Sequence, residues 1–186
     1  MKAVFLDRDG VICKDKHRMA NKESLELIEN AAKAIHLLNQ HSYKVIVITN
    51  QSIVARGHCS YEHIKEMNDH MEKLLFVEHE ATIDKTYVCP HHPLGMVKEF
   101  AIDCDCRKPF PGMILKAKEE FNIPSLDSCF MIGDKTTDIK AGKDAGCKTI
   151  LVKTGHGGTD KAIDISADHV AEDLLAAVKS VVLQHE

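Results

Sequence analysis

The sequence predicts an α/β fold, a doubly wound three-layer sandwich on a parallel sheet, and three observations predict it. Short apolar or β-branched runs, typical of strands buried on both faces, alternate with longer segments whose apolar residues recur every three or four positions. The 186 residues are 44% hydrophobic and 28% charged, which suits one core of ordinary size, so residues 1–186 are read as a single domain. The residues following the apolar runs are carboxylates, cations and hydroxyls, as in sheets that bind ligands beyond the carboxyl ends of their strands.

Ala3 to Leu6 is an apolar run ending in a polar turn, and Lys44 to Thr49 is β-branched; both read as central strands. Between them Leu25, Ile28, Ala32, Ile35 and Leu38 step by three and four, the stripe of a helix packed on a sheet, completing a βαβ unit. A helix from Tyr61 to Phe76 follows, with Ser60 as its cap, and then a short strand at Thr86 to Val88. Cys89 to Lys108 has no regular pattern. Pro111 stands where the first turn of a helix tolerates proline, and Ile114, Leu115 and Phe121 form that helix's apolar face. Cys129 to Ile132 reads as a strand, Asp138 to Ala145 as a helix, Thr149 to Val152 as a strand and Ala171 to Leu183 as a terminal amphipathic helix. No linker, repeat or low-complexity segment interrupts the series.

Charge and apolar run length exclude several classes. The formal net charge is -4 with Lys and Arg dispersed, which offers no footprint for nucleic acid. Apolar stretches reach about six residues against the roughly 20 that span a bilayer, so no membrane segment is expected. Met1-Lys2-Ala3 leads through a brief apolar run to Asp7, too short for a signal peptide, and points to a cytoplasmic protein. Seven cysteines, an odd count without a secretion signal, argue for reduced thiols and make metal ligation the alternative to weigh.

Asp7 and Asp9 lie two apart just past a strand, so both side chains can enter one crevice. With Asp134 from another strand end they form a hard oxygen cage suited to magnesium. Such an ion neutralises a phosphate and lets a carboxylate approach phosphorus. Asp7 then fits a nucleophile, Asp9 a proton donor and acceptor, and Lys108 with the Thr49 hydroxyl an electrostatic cradle. Each residue alone would be an ordinary turn residue, cap or surface cation; their gathering at one sheet edge in complementary charge types carries the reading. A second constellation, Cys89-Pro90-His91-His92 and Cys104-Asp105-Cys106, offers three thiolates and an imidazole, a closed tetrahedral set for structural zinc. Cys89, His91, Cys104 and Cys106 are the expected ligands, with His92 in reserve, and the zinc would hold a loop (89–106) that lacks a core of its own. Cys13, Cys59, Cys129 and Cys147 are expected to be plain thiols.

Asp7-Arg8-Asp9-Gly10, Thr49-Asn50-Gln51-Ser52, Arg107-Lys108-Pro109 and Gly133-Asp134-Lys135-Thr136-Thr137-Asp138 resemble, in order and across nearly the whole chain, the four motifs of the haloacid dehalogenase superfamily of aspartate-nucleophile phosphatases. The resemblance implies a Rossmann-like fold with Asp7 as nucleophile and magnesium ligand. It implies Asp9 as general acid and base that also offers its backbone carbonyl to magnesium, Asp134 as the third ligand, and Thr49 and Lys108 stabilising the phosphoryl group. Cys89-Pro90-His91-His92-Pro93, the long insert with Gly95 and Glu99-Phe100, and Cys104 to Met113 further resemble the D-glycero-D-manno-heptose 1,7-bisphosphate phosphatases. Those enzymes have no large cap domain, remove the 7-phosphate and keep the 1-phosphate. The related histidinol-phosphate phosphatases carry a shorter metal loop.

This likeness implies a small sugar bisphosphate as substrate and a monomeric enzyme. It also implies recognition by Arg107, substrate contact by Lys135, and a pocket lined by Asn50, Gln51 and Ser52. Arg56 suits the distal phosphate, since a planar guanidinium binds phosphate in bidentate fashion. Asp15 and Arg18 fall in the segment that would read the substrate, although Asp15-Lys16-His17-Arg18 and Ile53 depart from the expected pattern of a Gly-Tyr-like pair and a glycine. Two rival readings remain at this point, a histidinol-phosphate phosphatase and a non-catalytic zinc-stabilised binding module; the joint presence of Asp7, Asp9, Lys108 and Asp134 speaks against the second.

Overall fold

β1 (Ala3–Leu6) is apolar and buried at every position, and it takes the centre of a six-stranded sheet in the computed structural model, which describes residues 1–15 and 22–185. It pairs on one side with β2 (Lys44–Asn50), beyond which lies β3 (Lys85–Cys89). On its other side come β4 (Phe130–Gly133), β5 (Lys148–Val152) and β6 (His169–Ala171). All five pairings are parallel and the order is β3-β2-β1-β4-β5-β6. The chain winds outward in both directions from β1 and β4, so the crevice between them is the switch point where such sheets bind ligands.

Side-chain alternation along the strands feeds two cores. Val4, Leu6, Val45 and Val47 face α1 (Ala31–Gln40), α2 (Tyr61–His79) and α5 (Leu174–Ser180). Ala3, Phe5, Ile46 and Ile48 face α3 (Gly112–Glu120) and α4 (Thr136–Ala145). The result is the expected three-layer sandwich. None of the helices among the described residues is long and apolar enough to cross a membrane.

The elements fall where the sequence places them, with informative shifts at their ends. Ser60 caps α2 as expected, accepting from the His63 amide at 3.1 Å, and the helix continues past Phe76 to His79. α1 starts only at Ala31, because Asn30 sits in the left-handed region at φ 64°. Leu25 and Ile28 still join the same core but from an irregular segment, where the Ile28 amide donates to the Ile12 carbonyl at 2.8 Å. Their periodicity reported burial on one face, not helix. In α3 the buried face is Met113, Ile114 and Ala117, while Leu115 is 41% exposed. α4 begins at Thr136, two residues before the expected start, because the Asp138 carboxylate accepts from the Lys135 amide at 3.0 Å and closes the first turn. The expected terminal helix is divided: its first residue belongs to the short edge strand β6, Asp173 caps α5 by accepting from the Ala176 amide at 2.7 Å, and a 3-10 turn over Val182–His185 follows.

Candidate active site

Asp7 leaves β1 beside Ile132 of β4, to whose carbonyl its amide donates at 3.0 Å, so the β1 and β4 strand ends emerge together. Lys108 reaches in from the loop before α3. Its buried ammonium pairs with Asp7 Oδ1 at 2.8 Å and Asp138 Oδ1 at 2.8 Å, and donates to the Ile48 carbonyl at 2.9 Å. Asp7, Asp134 and Asp138, all buried, each offer a carboxylate oxygen within 4.8 Å of the others. Asp134 Oδ2 accepts from the His156 amide at 2.7 Å, whereas its Oδ1 is buried with no hydrogen-bond partner among the described residues.

Lys108, with the ammonium of Lys135 acting from farther out, does not offset the burial of three carboxylates. Burial pushes the Asp7 carboxyl up to about 7; Lys108 opposes that rise, and Asp138, Asp134 and Asp9 add to it. Asp134 is raised as well, chiefly by burial. Burial alone would lower Lys108, but Asp138 and Asp7 outweigh it and hold the ammonium above its ordinary range. An orphaned carboxylate oxygen inside an all-oxygen acidic set is a fit for a hard divalent cation. Gly10 permits the set to form: its φ of 89° favours glycine, and a side chain there would collide with the Asp134 carboxylate.

Asp9 turns a different way. Its carboxylate takes the Arg8 fork, Nε to Oδ1 at 3.0 Å and Nη2 to Oδ2 at 2.9 Å, and accepts from Gln51 Nε2 at 2.7 Å. Burial would raise this carboxyl, yet the charge and hydrogen bonds of Arg8 with the Gln51 bond hold it below its usual range. The Gln51 amide also donates to the buried Thr49 hydroxyl at 2.9 Å, so Asp9, Gln51 and Thr49 form one line along the crevice. The third side chain of the carboxylate cluster is therefore Asp138, with the Asp9 side chain beside it.

The remaining sequence-derived residues are spread around this centre. Asn50 spends both ends of its amide on the Lys108 backbone, donating to the carbonyl at 3.0 Å and accepting from the amide at 3.1 Å. Ser52 opens a turn whose carbonyl receives the Arg56 amide at 3.0 Å, and Arg56 Nη2 lies 3.3 Å from His92 Nε2 on the Cys/His loop. Arg107 is tied to the same loop through the His91 carbonyl at 3.1 Å. Lys135 Nζ stands 3.6 Å from Asp15 Oδ2, and His156 Nε2 stands 3.4 Å from the same oxygen. An open cleft of about 450 Å³, lined in part by Gly10, Asp15, Thr154 and His156, adjoins them. Arg18 lies outside the described residues.

Asp138 stands in the fourth sequence motif without an assigned role, and His156 lies outside the motifs. A turn of α4 separates Asp138 from Asp134, which puts it back on the strand ends, and His156 follows β5 at the same sheet edge. The strand-end rule that flagged Asp7 applied equally to His156.

The second cluster joins the end of β3 to the loop before α3. Cys104 and Cys106 Sγ are 3.1 Å apart, Cys89 and Cys104 Sγ 3.6 Å, and His91 Nδ1 lies 3.8 Å from Cys89 Sγ and 3.4 Å from Cys106 Sγ. Zinc–sulfur bonds of about 2.3 Å would give a tetrahedron with edges of about 3.8 Å, so the set fits a tetrahedral soft-ligand site. His91 supplies the nitrogen. His92 faces away, its Nδ1 accepting from the Leu94 amide at 3.1 Å. Burial, with the contact to the neighbouring Cys106 sulfur, pushes the Cys104 thiol up, so thiolates here need a cation. Cys13, Cys59, Cys129 and Cys147 are free and outside this group.

The D-glycero-D-manno-heptose-1,7-bisphosphate 7-phosphatase of Chlorobaculum tepidum is 38% identical over 189 aligned residues, covering 98% of this chain and 94% of that protein. The D-glycero-beta-D-manno-heptose-1,7-bisphosphate 7-phosphatase of Escherichia coli K12 is 37% identical over 173 residues, covering 92% and 89%. The chain belongs to the heptose-1,7-bisphosphate 7-phosphatase family. Its membership makes it a phosphoric monoester hydrolase, and the HAD-hydrolase-like family model matches residues 105–177. The fold agrees: D,D-heptose 1,7-bisphosphate phosphatase from B. bronchiseptica, solved with magnesium and phosphate, superposes with a TM-score of 0.87 at 29% identity, covering 99% of both chains. As a heptose-bisphosphate phosphatase family member, the chain carries both the acidic crevice and the Cys/His loop on that fold.

Proposed function

We propose that this enzyme hydrolyses the 7-phosphate of D-glycero-D-manno-heptose 1,7-bisphosphate through a phospho-aspartate on Asp7, giving heptose 1-phosphate and inorganic phosphate. The observation that carries the reading is the buried Asp7 carboxylate at the switch point, paired with Lys108 and grouped with Asp134 and Asp138. The relatives' substrate supports the choice of sugar.

Asp7 attacks phosphorus as the bond to the C7 oxygen breaks, and Asp9 delivers a proton to that departing alkoxide. Asp9 then takes a proton from water, whose attack on phosphorus breaks the bond to Asp7. The Arg8 and Gln51 bonds favour the ionised, base form of Asp9, while a phosphate dianion beside it raises its proton affinity for the acid step. Lys108 and the Thr49 hydroxyl stabilise charge on the phosphoryl oxygens. Magnesium, held by Asp7, Asp134 and the Asp9 carbonyl with Asp138 beside them, would neutralise the phosphate charge that otherwise repels Asp7. Zinc at Cys89, His91, Cys104 and Cys106 would fix the loop that carries Arg107. Reduced thiols suit a cytoplasmic enzyme.

The test is phosphate release, with and without magnesium, from heptose 1,7-bisphosphate and histidinol phosphate at matched concentrations. A large magnesium-dependent preference in kcat/KM for the bisphosphate is expected. Preference for histidinol phosphate would overturn the substrate, and no release from either would overturn the mechanism.

A further inference from the structure

Arg8 separates Asp7 from Asp9, is only 2% exposed, and has no role in the scheme above beyond its bonds to Asp9. Two of its nitrogens fork onto both Asp9 oxygens at 3.0 and 2.9 Å, and Nη1 donates to Asn68 Oδ1 at 3.0 Å. Asn68, 5% exposed, sits on the inner face of α2 among Ile64, Met67, Met71 and Leu75. A buried amide on such a face needs a reason, and its oxygen is given to Arg8. The Arg8 main chain is fixed too: its amide donates to Asp7 Oδ1 at 2.7 Å, and its carbonyl accepts from the Ile12 and Cys13 amides, each at 2.9 Å.

We propose that Arg8 and Asn68 are positioning residues: α2 anchors the guanidinium through Asn68, and the guanidinium sets the plane of the Asp9 carboxylate for proton transfer to the leaving oxygen. A planar fork fixes both oxygens of a carboxylate, which a lysine ammonium cannot do. Gln51 donates at 2.7 Å to Oδ2, the oxygen that Arg8 Nη2 also holds, so the Asp9 rotamer is determined from two elements, α2 and the turn after β2. The inference rests on the reading of Asp9 as proton donor.

Leaving-group dependence separates positioning from mere structural support. An alkoxide leaves poorly without a proton, whereas the phenolate of 4-nitrophenyl phosphate leaves without help. Because kcat/KM reports the steps through phosphoryl transfer to Asp7, the ratio of sugar bisphosphate to aryl phosphate kcat/KM follows proton donation in variants that leave the sugar-recognising loop around Arg107 intact, as Arg8, Asn68 and Asp9 variants do. With magnesium present, Asp9→Asn is expected to lower that ratio by about 100-fold or more. Asn68→Leu, similar in volume but without the acceptor, is expected to lower it by about tenfold, and Asn68→Asp, which restores an oxygen for Nη1, to return it to within about threefold of the unmutated enzyme. Arg8→Lys keeps the buried charge without the fork and gives the same split as Asn68→Leu; it decides the matter if Asn68→Leu does not fold. Equal losses on both substrates in Asn68→Leu and Arg8→Lys, with the ratio falling only in Asp9→Asn, would overturn the positioning role. A ratio unmoved by Asp9→Asn would overturn the proton-donor reading and this inference with it.

Discussion

The two clusters of ligand-type side chains are built in opposite ways. Asp7, Asp134 and Asp138 are buried, and each sits on or next to a regular element: the end of β1, the end of β4 and the first turn of α4. Cys104 and Cys106 are half-buried in a segment without helix or strand, whose Leu94 is 83% exposed. In the first cluster the sheet holds the ligands, and the cost is unbalanced negative charge. In the second, four side chains drawn from residues 89–106 bring the end of β3 and the loop before α3 together, alongside the bonds of the Met96 and Val97 amides to the Ala55 carbonyl at 2.7 and 2.9 Å. Loss of metal should therefore cost the first region its chemistry and the second its order.

The sharpest way to break that contrast is Asp7→Asn. It removes the nucleophile while keeping its volume, and neutralises a carboxyl that burial already pushes towards the protonated form. Turnover should fall by about 10³-fold or more with little loss of Tm. Retained turnover would refute the covalent route; a large drop in Tm would show that the acidic cluster holds the fold.

Next in size is Lys108→Met, which strands Asp7 and Asp138 without their shared cation. Removing one partner of a buried ion pair costs about 3–5 kcal/mol, measurable by urea unfolding. Since the sheet and not the metal positions these groups, added magnesium should recover part of the stability and none of the order in the Cys/His loop. A loss under about 1 kcal/mol would mean that the carboxylates find other partners or take up protons at no cost.

The contrast also explains what could be read in advance. The acidic crevice was legible because its residues follow apolar runs, and strand-end placement is a property of short sequence windows: Asp7, Asp9, Thr49 and Asp134 needed no long-range information. Lys108 and the Cys/His set were legible by chemistry, through residue type in an otherwise patternless stretch. What escaped depended on geometry between distant elements. Nothing near Asn68 in sequence announces a bond to a residue 60 positions away, and the left-handed Asn30 that delays α1 is invisible to hydrophobic periodicity. Asn50 resembles a pocket residue by position, but the loop carrying Lys108 packs against it and takes up its amide.

Cys104→Ser probes the loop directly. Zinc content should fall from about one equivalent towards zero, and limited proteolysis within residues 92–103 should quicken about tenfold, because the segment then lacks the ligation that constrains it. Turnover of a small aryl phosphate should fall by less than about fivefold, whereas that of the sugar bisphosphate falls further as Arg107 loses its tether to His91. Unchanged zinc content would remove the basis for treating the loop as metal-held. Equal losses on both substrates would show that the loop supports the crevice as a whole.

The smallest effect concerns protons and magnesium at Asp7. Its folded pKa of about 7 exceeds the ordinary 3.8, so between those values the folded, metal-free protein keeps a proton that the unfolded chain has released. The stability this proton confers is fully present below about pH 4 and is lost as pH rises through about 7. Magnesium requires the ionised carboxylate and must displace that proton, so its apparent affinity should weaken up to about tenfold for each pH unit below 7, removing up to about 1.4 kcal/mol of ligand stabilisation per unit. The rise in Tm produced by a fixed magnesium concentration should accordingly be small near pH 5.5, grow through neutrality and level off near pH 8. Asp7→Asn should weaken that pH dependence, leaving the part that comes from Asp134. Zinc loss on chelation, governed by thiols and an imidazole on the other cluster, should weaken the Cys/His loop without following this profile. A magnesium shift in Tm that is flat across the range would mean that Asp7 is already ionised in the metal-free fold, and that Lys108 offsets the buried charge more fully than the crowding of Asp134 and Asp138 implies.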